Sequence, residues 1–165
     1  MQPEMKEEER NKKLKTARTI ADYQFGRGAG ETLFPDTDTV EFMLSKTRRI
    51  AQIKDNLLGT RIATLRSVDG LLTLSVEGAK RLHRFFEYPG IRVVMNEESS
   101  EFIKDGGTAF CKHLIDADPA IRAYDEVILV DEHDNLLATG KAMLSGEEMK
   151  KFEHGVAVKV RYGAS

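Results

Sequence analysis

The chain has 165 residues, 41% of them hydrophobic, with a formal net charge of −2 and a single cysteine. This is a globular composition, large enough for one ordinary domain or two small ones, and one cysteine cannot build a disulfide framework. No apolar run approaches the roughly 18 residues needed to cross a bilayer, and the opening MQPEMKEEERNKKLK is too charged for a secretory leader, so a cytoplasmic protein without a membrane partner is expected.

Residues 4–22 read as a charged helix with Leu14, Ala17, Ile20 and Ala21 as its apolar stripe. The glycine-rich GRGAG at 26–30 interrupts it, and the loop is expected to continue through Pro35–Asp38. That segment lacks the lysine and hydroxyl residue of a Walker loop, and it follows a helix where a dinucleotide loop would follow a strand. From Val40 the pattern changes to strands: VEFMLS, RRIAQIK, RIATLRS and LLTLS, with turns at DNLLGT and VDG. A helix over 76–87 follows, with Ala79, Leu82, Phe85 and Phe86 at helical spacing, and Pro89-Gly90 is the candidate domain boundary.

The second half opens with a buried-looking strand, IRVVM at 91–95. A short helix in SSEFIKD, capped by Ser99 or Ser100, then leads to the pair Gly106-Gly107 and a strand TAFCKHL carrying Lys112. DADPAIRAYDE reads as a turn-rich connection, VILVD and LLATGKAML as strands paired across 133–135, SGEEMKKF as one helical turn, and GVAVKVRYG as a closing strand. Many short strands in about 75 residues point to a small barrel. The fold class is therefore α+β.

Catalytic chemistry is not legible. Cys111 reads as a packing thiol, paired acids such as Asp116/Asp118 and Glu147/Glu148 sit where carboxylates cap turns and helices, and the four histidines fall in four different elements. Neither a metal site nor a cofactor is expected, and no catalytic residue is assigned. The charge is divided: residues 1–89 carry 16 Lys/Arg against 13 Asp/Glu, and residues 90–165 carry 9 against 14, giving +3 and −5. Any nucleic-acid contact must then be a local basic patch. Candidates in the first half are Arg48, Arg49 and Lys54 on one expected strand, Arg61 and Arg66 on the next, and Lys80, Arg81 and Arg84 on the following helix.

Four pieces of the second half, FIKDGGTAFCKHL, DADPAIRAYDEVILVD, LLATGKAMLSGEEM and GVAVKVRYG, together resemble a PUA domain, a small RNA-binding β-barrel. The first-half pieces IADYQFGRGAGETLFP, SKTRRI and IATLRSVDGLLTLSVEGAKRLH are similar to the domain preceding PUA in archaeal archaeosine tRNA-guanine transglycosylases. The resemblance implies a small pre-PUA α/β domain over 1–88 and a PUA-type β-barrel over 90–163. It further implies a non-catalytic protein, since the large catalytic barrel, aspartate nucleophile and cysteine-rich zinc site of those enzymes have no counterpart in these residues. By motif match, RNA is expected against Phe102, Lys104, Gly106, Gly107, Thr108, Ala109, Phe110 and Lys112, with Lys159 and Arg161 from the closing strand. Arg48, Arg49, Arg61, Arg66 and Arg84 are possible additional RNA contacts. Phe102 and Phe110 are expected to be core anchors rather than stacking platforms. The implied partner is structured RNA, namely tRNA near its acceptor stem; the alternative is a protein-interaction subunit completing a catalytic RNA-modifying chain. Two positions depart from the family pattern: Arg48 stands where relatives carry glycine, and His113 where they carry a large apolar residue.

Overall fold

The computed structural model describes residues 5–165, and Glu4, the expected start of the first helix, lies outside the described residues. The chain forms two compact units, one ending at Thr73 and the other spanning Leu74–Ser165.

In the first unit, helix α1 (Glu7–Phe25) buries Leu14, Ala17 and Ala21, while Ile20 is only half-buried. A second helix, α2 (Ala29–Leu33), occupies part of the expected loop. Its presence explains Gly30: a Cβ there would lie 2.5 Å from the Arg18 carbonyl oxygen, so the two helices approach at a distance only glycine allows. The Gly30 N–H donates to Asp22 Oδ1 at 2.7 Å, and Arg18 Nε donates to the Phe34 carbonyl at 2.8 Å, closing the turn between the helices.

Four strands follow in the order β1 (Val40–Leu44), β2 (Ile50–Asp55), β3 (Arg61–Leu65) and β4 (Leu72–Leu74), each beside its sequence neighbour. Val40, Phe42 and Leu44 alternate into the core with Ile53 and Ile62, as a half-buried antiparallel sheet requires. The Gln24 amide acts as an extra strand partner for Leu72, donating to its carbonyl at 2.7 Å and accepting from its N–H at 2.8 Å. Arg48 and Arg49 lie in the turn before β2 rather than on the strand. Arg48 has φ 62°, the left-handed region that disfavours side chains and suits glycine, the residue the resemblance implies there. Here α1 holds the turn instead: Arg48 Nη2 meets Glu9 Oε1 at 2.9 Å, and Lys13 Nζ donates to the Arg48 carbonyl at 3.0 Å.

The second unit begins with helix α3 (Val76–Phe85), two residues shorter than expected. Its sheet runs in the order β6 (Ala109–Phe110), β10 (Val156–Gly163), β9 (Leu136–Ala142), β8 (Glu126–Val130), β5 (Arg92–Met95) and β7 (Leu114–Ala117). All pairs are antiparallel except β5 with β8. The expected single strand TAFCKHL is broken: a 3-10 turn, Cys111–His113, separates β6 from β7. Since β6 and β7 are the two outer strands of the sheet, this turn joins one edge to the other and makes the barrel nearly closed. Val93, Met95, Val127, Leu129, Ala138, Ala142 and Val158 fill the interior with Ile103 of helix α4 (Glu97–Lys104) and Met149 of helix α5 (Gly146–Lys151).

One buried cation organises the opposite face of the sheet. Arg92 is 2% exposed and donates from Nε to Asp134 Oδ1 at 2.7 Å, from Nη1 to the Gly90 carbonyl at 2.9 Å and from Nη2 to the His83 carbonyl at 2.8 Å. It thereby ties α3 to the β8–β9 turn, where His83 Nε2 also meets the Asp134 carbonyl at 2.7 Å. Composition and periodicity give no sign that this arginine, within an apolar strand, would be buried.

Candidate nucleic-acid interface

The segment from α4 to the 3-10 turn is set by helix-end chemistry. Asn96, not Ser99 or Ser100, caps α4: its side chain accepts from the Ser99 N–H at 3.0 Å. Ser99 and Ser100 instead return their hydroxyls to the Asn96 carbonyl, at 3.3 and 2.8 Å. At the other end, Gly106 N–H donates to the Ile103 carbonyl at 2.9 Å and Gly107 N–H to the Phe102 carbonyl at 2.8 Å, the paired bonds of a Schellman stop.

The two glycines are there for different reasons. Gly106 has φ 101°, with open space where a Cβ would sit, so its requirement is conformational. At Gly107 a Cβ would fall 2.3 to 2.5 Å from ring atoms of Phe102, so the glycine is where the exposed ring rests, and a side chain there would push the ring aside. Both amide protons are consumed by the helix stop, which leaves the carbonyls rather than the N–H groups as the backbone's polar offer at these positions.

Phe102 is 58% exposed and Phe110 37%, which overturns the core reading for both. Phe102 lies on the outward side of α4 with its support provided by Gly107, and the inward position is taken by Ile103. Ala109 is fully buried, so only its backbone is available, and Thr108 is half-buried.

The closing strand reaches this segment twice. β10 pairs with β6, Val158 opposite Ala109 and Val156 opposite Phe110. Its last residue, Gly163, packs so closely that a Cβ would lie 2.0 Å from the Lys104 carbonyl oxygen and 2.8 Å from Gly106 N. Phe102, Lys104, Gly106, Gly107, Thr108, Phe110 and Lys159 are thus brought together. Lys112 stands exposed on the 3-10 turn, anchored by the Cys111 N–H donating to the Gly155 carbonyl at 2.9 Å. Among the described residues Lys104, Lys112 and Lys159 have no ion pair.

Arg161 behaves differently. Its Nη1 donates to Glu126 Oε2, whose side chain is 4% exposed and which also accepts the Leu74 N–H at 2.7 Å, so this cation neutralises a buried carboxylate. Of the additional candidates, Arg48 pairs with Glu9, Arg66 pairs with Asp69 and Arg61 is half-buried and partnered, whereas Arg49 and Arg84 are exposed and have no ion pair among the described residues. Cys111 is 5% exposed within the core, and burial pushes its thiol up from the ordinary value, the reverse of nucleophile activation. Among the described residues no group of three or more His, Cys, Asp or Glu could hold a metal ion, and no helix is long and apolar enough to cross a membrane.

Comparison with known proteins identifies a domain in each half of the chain. Residues 15–89 match the patch-forming domain C2 of tRNA-guanine transglycosylase, and residues 91–163 match the PUA domain. The chain is a C2 domain followed by a PUA domain. It is 54% identical over 144 residues to the tRNA-guanine(15) transglycosylase of Pyrococcus furiosus, a match covering 87% of this chain and 24% of that protein. To the Methanothermobacter thermautotrophicus enzyme it is 49% identical over 151 residues, covering 91% and 22%. The chain therefore spans about a quarter of the length of these relatives, and the matched part is their non-catalytic C-terminal region. The fold is shared with a hypothetical protein from Pyrococcus horikoshii (TM-score 0.65, 23% identity, 93% of this chain and 90% of that one). It is shared also with a conserved PUA domain protein from Thermoplasma acidophilum (TM-score 0.62, 17% identity, 93% and 89%). PUA domains bind RNA.

Proposed function

We propose that this protein is a non-catalytic tRNA-binding module in RNA modification, gripping the acceptor-stem region through the PUA face built from α4, the Gly106-Gly107 stop, β6, the 3-10 turn and β10. The observation that carries this reading is the grouping of Lys104, Lys112 and Lys159, without ion pairs among the described residues, beside the exposed Phe102 and Phe110 rings in the acidic half of the chain. Lysines supply the salt-dependent attraction to phosphates, and an exposed aromatic ring offers a base a stacking surface. The transglycosylase relatives act on tRNA by their names, which makes tRNA the RNA class we propose for this chain.

A catalytic RNA-modifying chain is the second partner we propose, since the region matched here occurs within tRNA-guanine(15) transglycosylases. The test for the first reading is crosslinking in native extract followed by sequencing of the attached RNA. tRNA reads dominated by acceptor-stem positions are expected, and a random transcript mixture would remove the tRNA assignment.

A further inference from the structure

A row of charged residues crosses three strands of the PUA sheet and adds Lys141 to the residues considered above. On β9, Lys141 is the register partner of Lys159 on β10 and of Glu126 on β8. Two lysines directly opposite on neighbouring strands repel, an arrangement that costs stability unless an anion lies between them. The one carboxylate in the row does not relieve it, since Glu126 is engaged by Arg161 and the Leu74 N–H, and Lys141 has no ion pair among the described residues. Lys141 is steadied instead by an aromatic ring: its Nζ lies 5.1 Å from the centroid of Tyr124, just before β8.

Tyr124 is itself an outlier, with φ 73°, and it is 63% exposed. A bulky residue in the left-handed region costs of order 1 kcal/mol or more, and glycine would remove that cost. Its N–H donates to the Ala142 carbonyl at 2.7 Å, which fixes the residue at the start of β8 beside the Lys141 strand. A strained, exposed tyrosine holding one lysine next to a second, in the acidic half of the chain, is poor design for stability alone.

We propose that Tyr124, Lys141 and Lys159 form a site for the ribose-phosphate backbone of RNA, with the two ammonium groups flanking a phosphate and the tyrosine orienting Lys141. The proposal rests on the RNA-binding reading above and extends the RNA track from the α4 face across the outer face of β10 and β9.

The test measures binding of unfractionated tRNA by fluorescence anisotropy across a salt series, with thermal unfolding followed in parallel. For Lys141→Ala we expect severalfold weaker binding and a salt slope reduced by about one, with Lys141→Arg close to wild type. For Tyr124→Gly we expect weaker binding together with an unchanged or raised unfolding temperature, a combination that a purely structural tyrosine would not give. An unchanged slope for Lys141→Ala, in a protein whose binding still falls on Lys112→Ala, would overturn this site and leave the α4 face standing. Absence of tRNA binding by the wild-type protein would remove both.

Discussion

Replacing Arg92 by methionine is expected to cost about 3 kcal/mol of stability, the largest effect of any single polar substitution in the second unit. The side chain is almost fully buried and serves the Asp134 carboxylate and two carbonyls, those of Gly90 and His83. Methionine fills much of the volume but leaves all these acceptors without their donor, and desolvated acceptors are expensive to orphan. Asp134 keeps some contact with water, its side chain being 36% exposed, which limits the loss. The conservative change Asp134→Asn retains an acceptor for Arg92 and suits the left-handed backbone there (φ 62°), so a loss nearer 1 kcal/mol is expected. Guanidinium titration followed on the amide signals of Ile128 and Thr139 reads the second unit alone. A loss below about 1 kcal/mol for Arg92→Met would mean that the network is not what joins α3 to the β8–β9 turn.

The double substitution Lys112→Ala/Lys159→Ala is expected to weaken tRNA binding by an order of magnitude or more near 100 mM salt and to lower the log–log salt slope by about two. Neither lysine has an ion pair to lose among the described residues, and Lys159→Ala removes the repulsion with Lys141, so the unfolding temperature should be unchanged or slightly raised. Arg161→Ala would be a less informative probe of the same surface. It strips the cation from a buried carboxylate, and a fall in affinity would be mixed with a fall in stability. Anisotropy of labelled tRNA in a salt series separates these cases; parallel salt plots for wild type and the double variant would mean that neither lysine neutralises a phosphate.

Much of the architecture was readable from patterns that act locally. Alternating apolar residues gave the hairpins of both units, and SGEEMKKF gave the helical turn of α5, to which the structure adds a capping box: Ser145 and Glu148 each accept from the other's backbone N–H. The motif match pointed to a PUA domain in the second half, and Arg48, where the resemblance implies glycine, has a left-handed backbone in the structure. What escaped the sequence depends on distant parts of the chain. TAFCKHL has continuous strand propensity, but its middle turns because the segment must pass from one edge of the barrel to the other. Phe102 sits at a helical spacing that fits a core anchor, yet Ile103 takes the inward position and Gly107 provides the surface on which the ring rests. Arg161 shared a strand and a charge with Lys159, and only the fold reveals the buried Glu126 that claims it. Arg92 was hidden for the same reason, since its partners lie 2 to 42 residues away in sequence.

The most direct test of the central claim is a titration of the isotope-labelled protein with tRNA, following backbone amide signals. RNA bound on the PUA face predicts the largest shifts from Phe102 to Lys112 and around Lys159, with Gly106 and Gly107 moving as their carbonyls gain partners while their own N–H bonds to α4 persist. Shifts confined to the first unit, or to the α5 side of the second with the α4 and β10 signals unmoved, would contradict it.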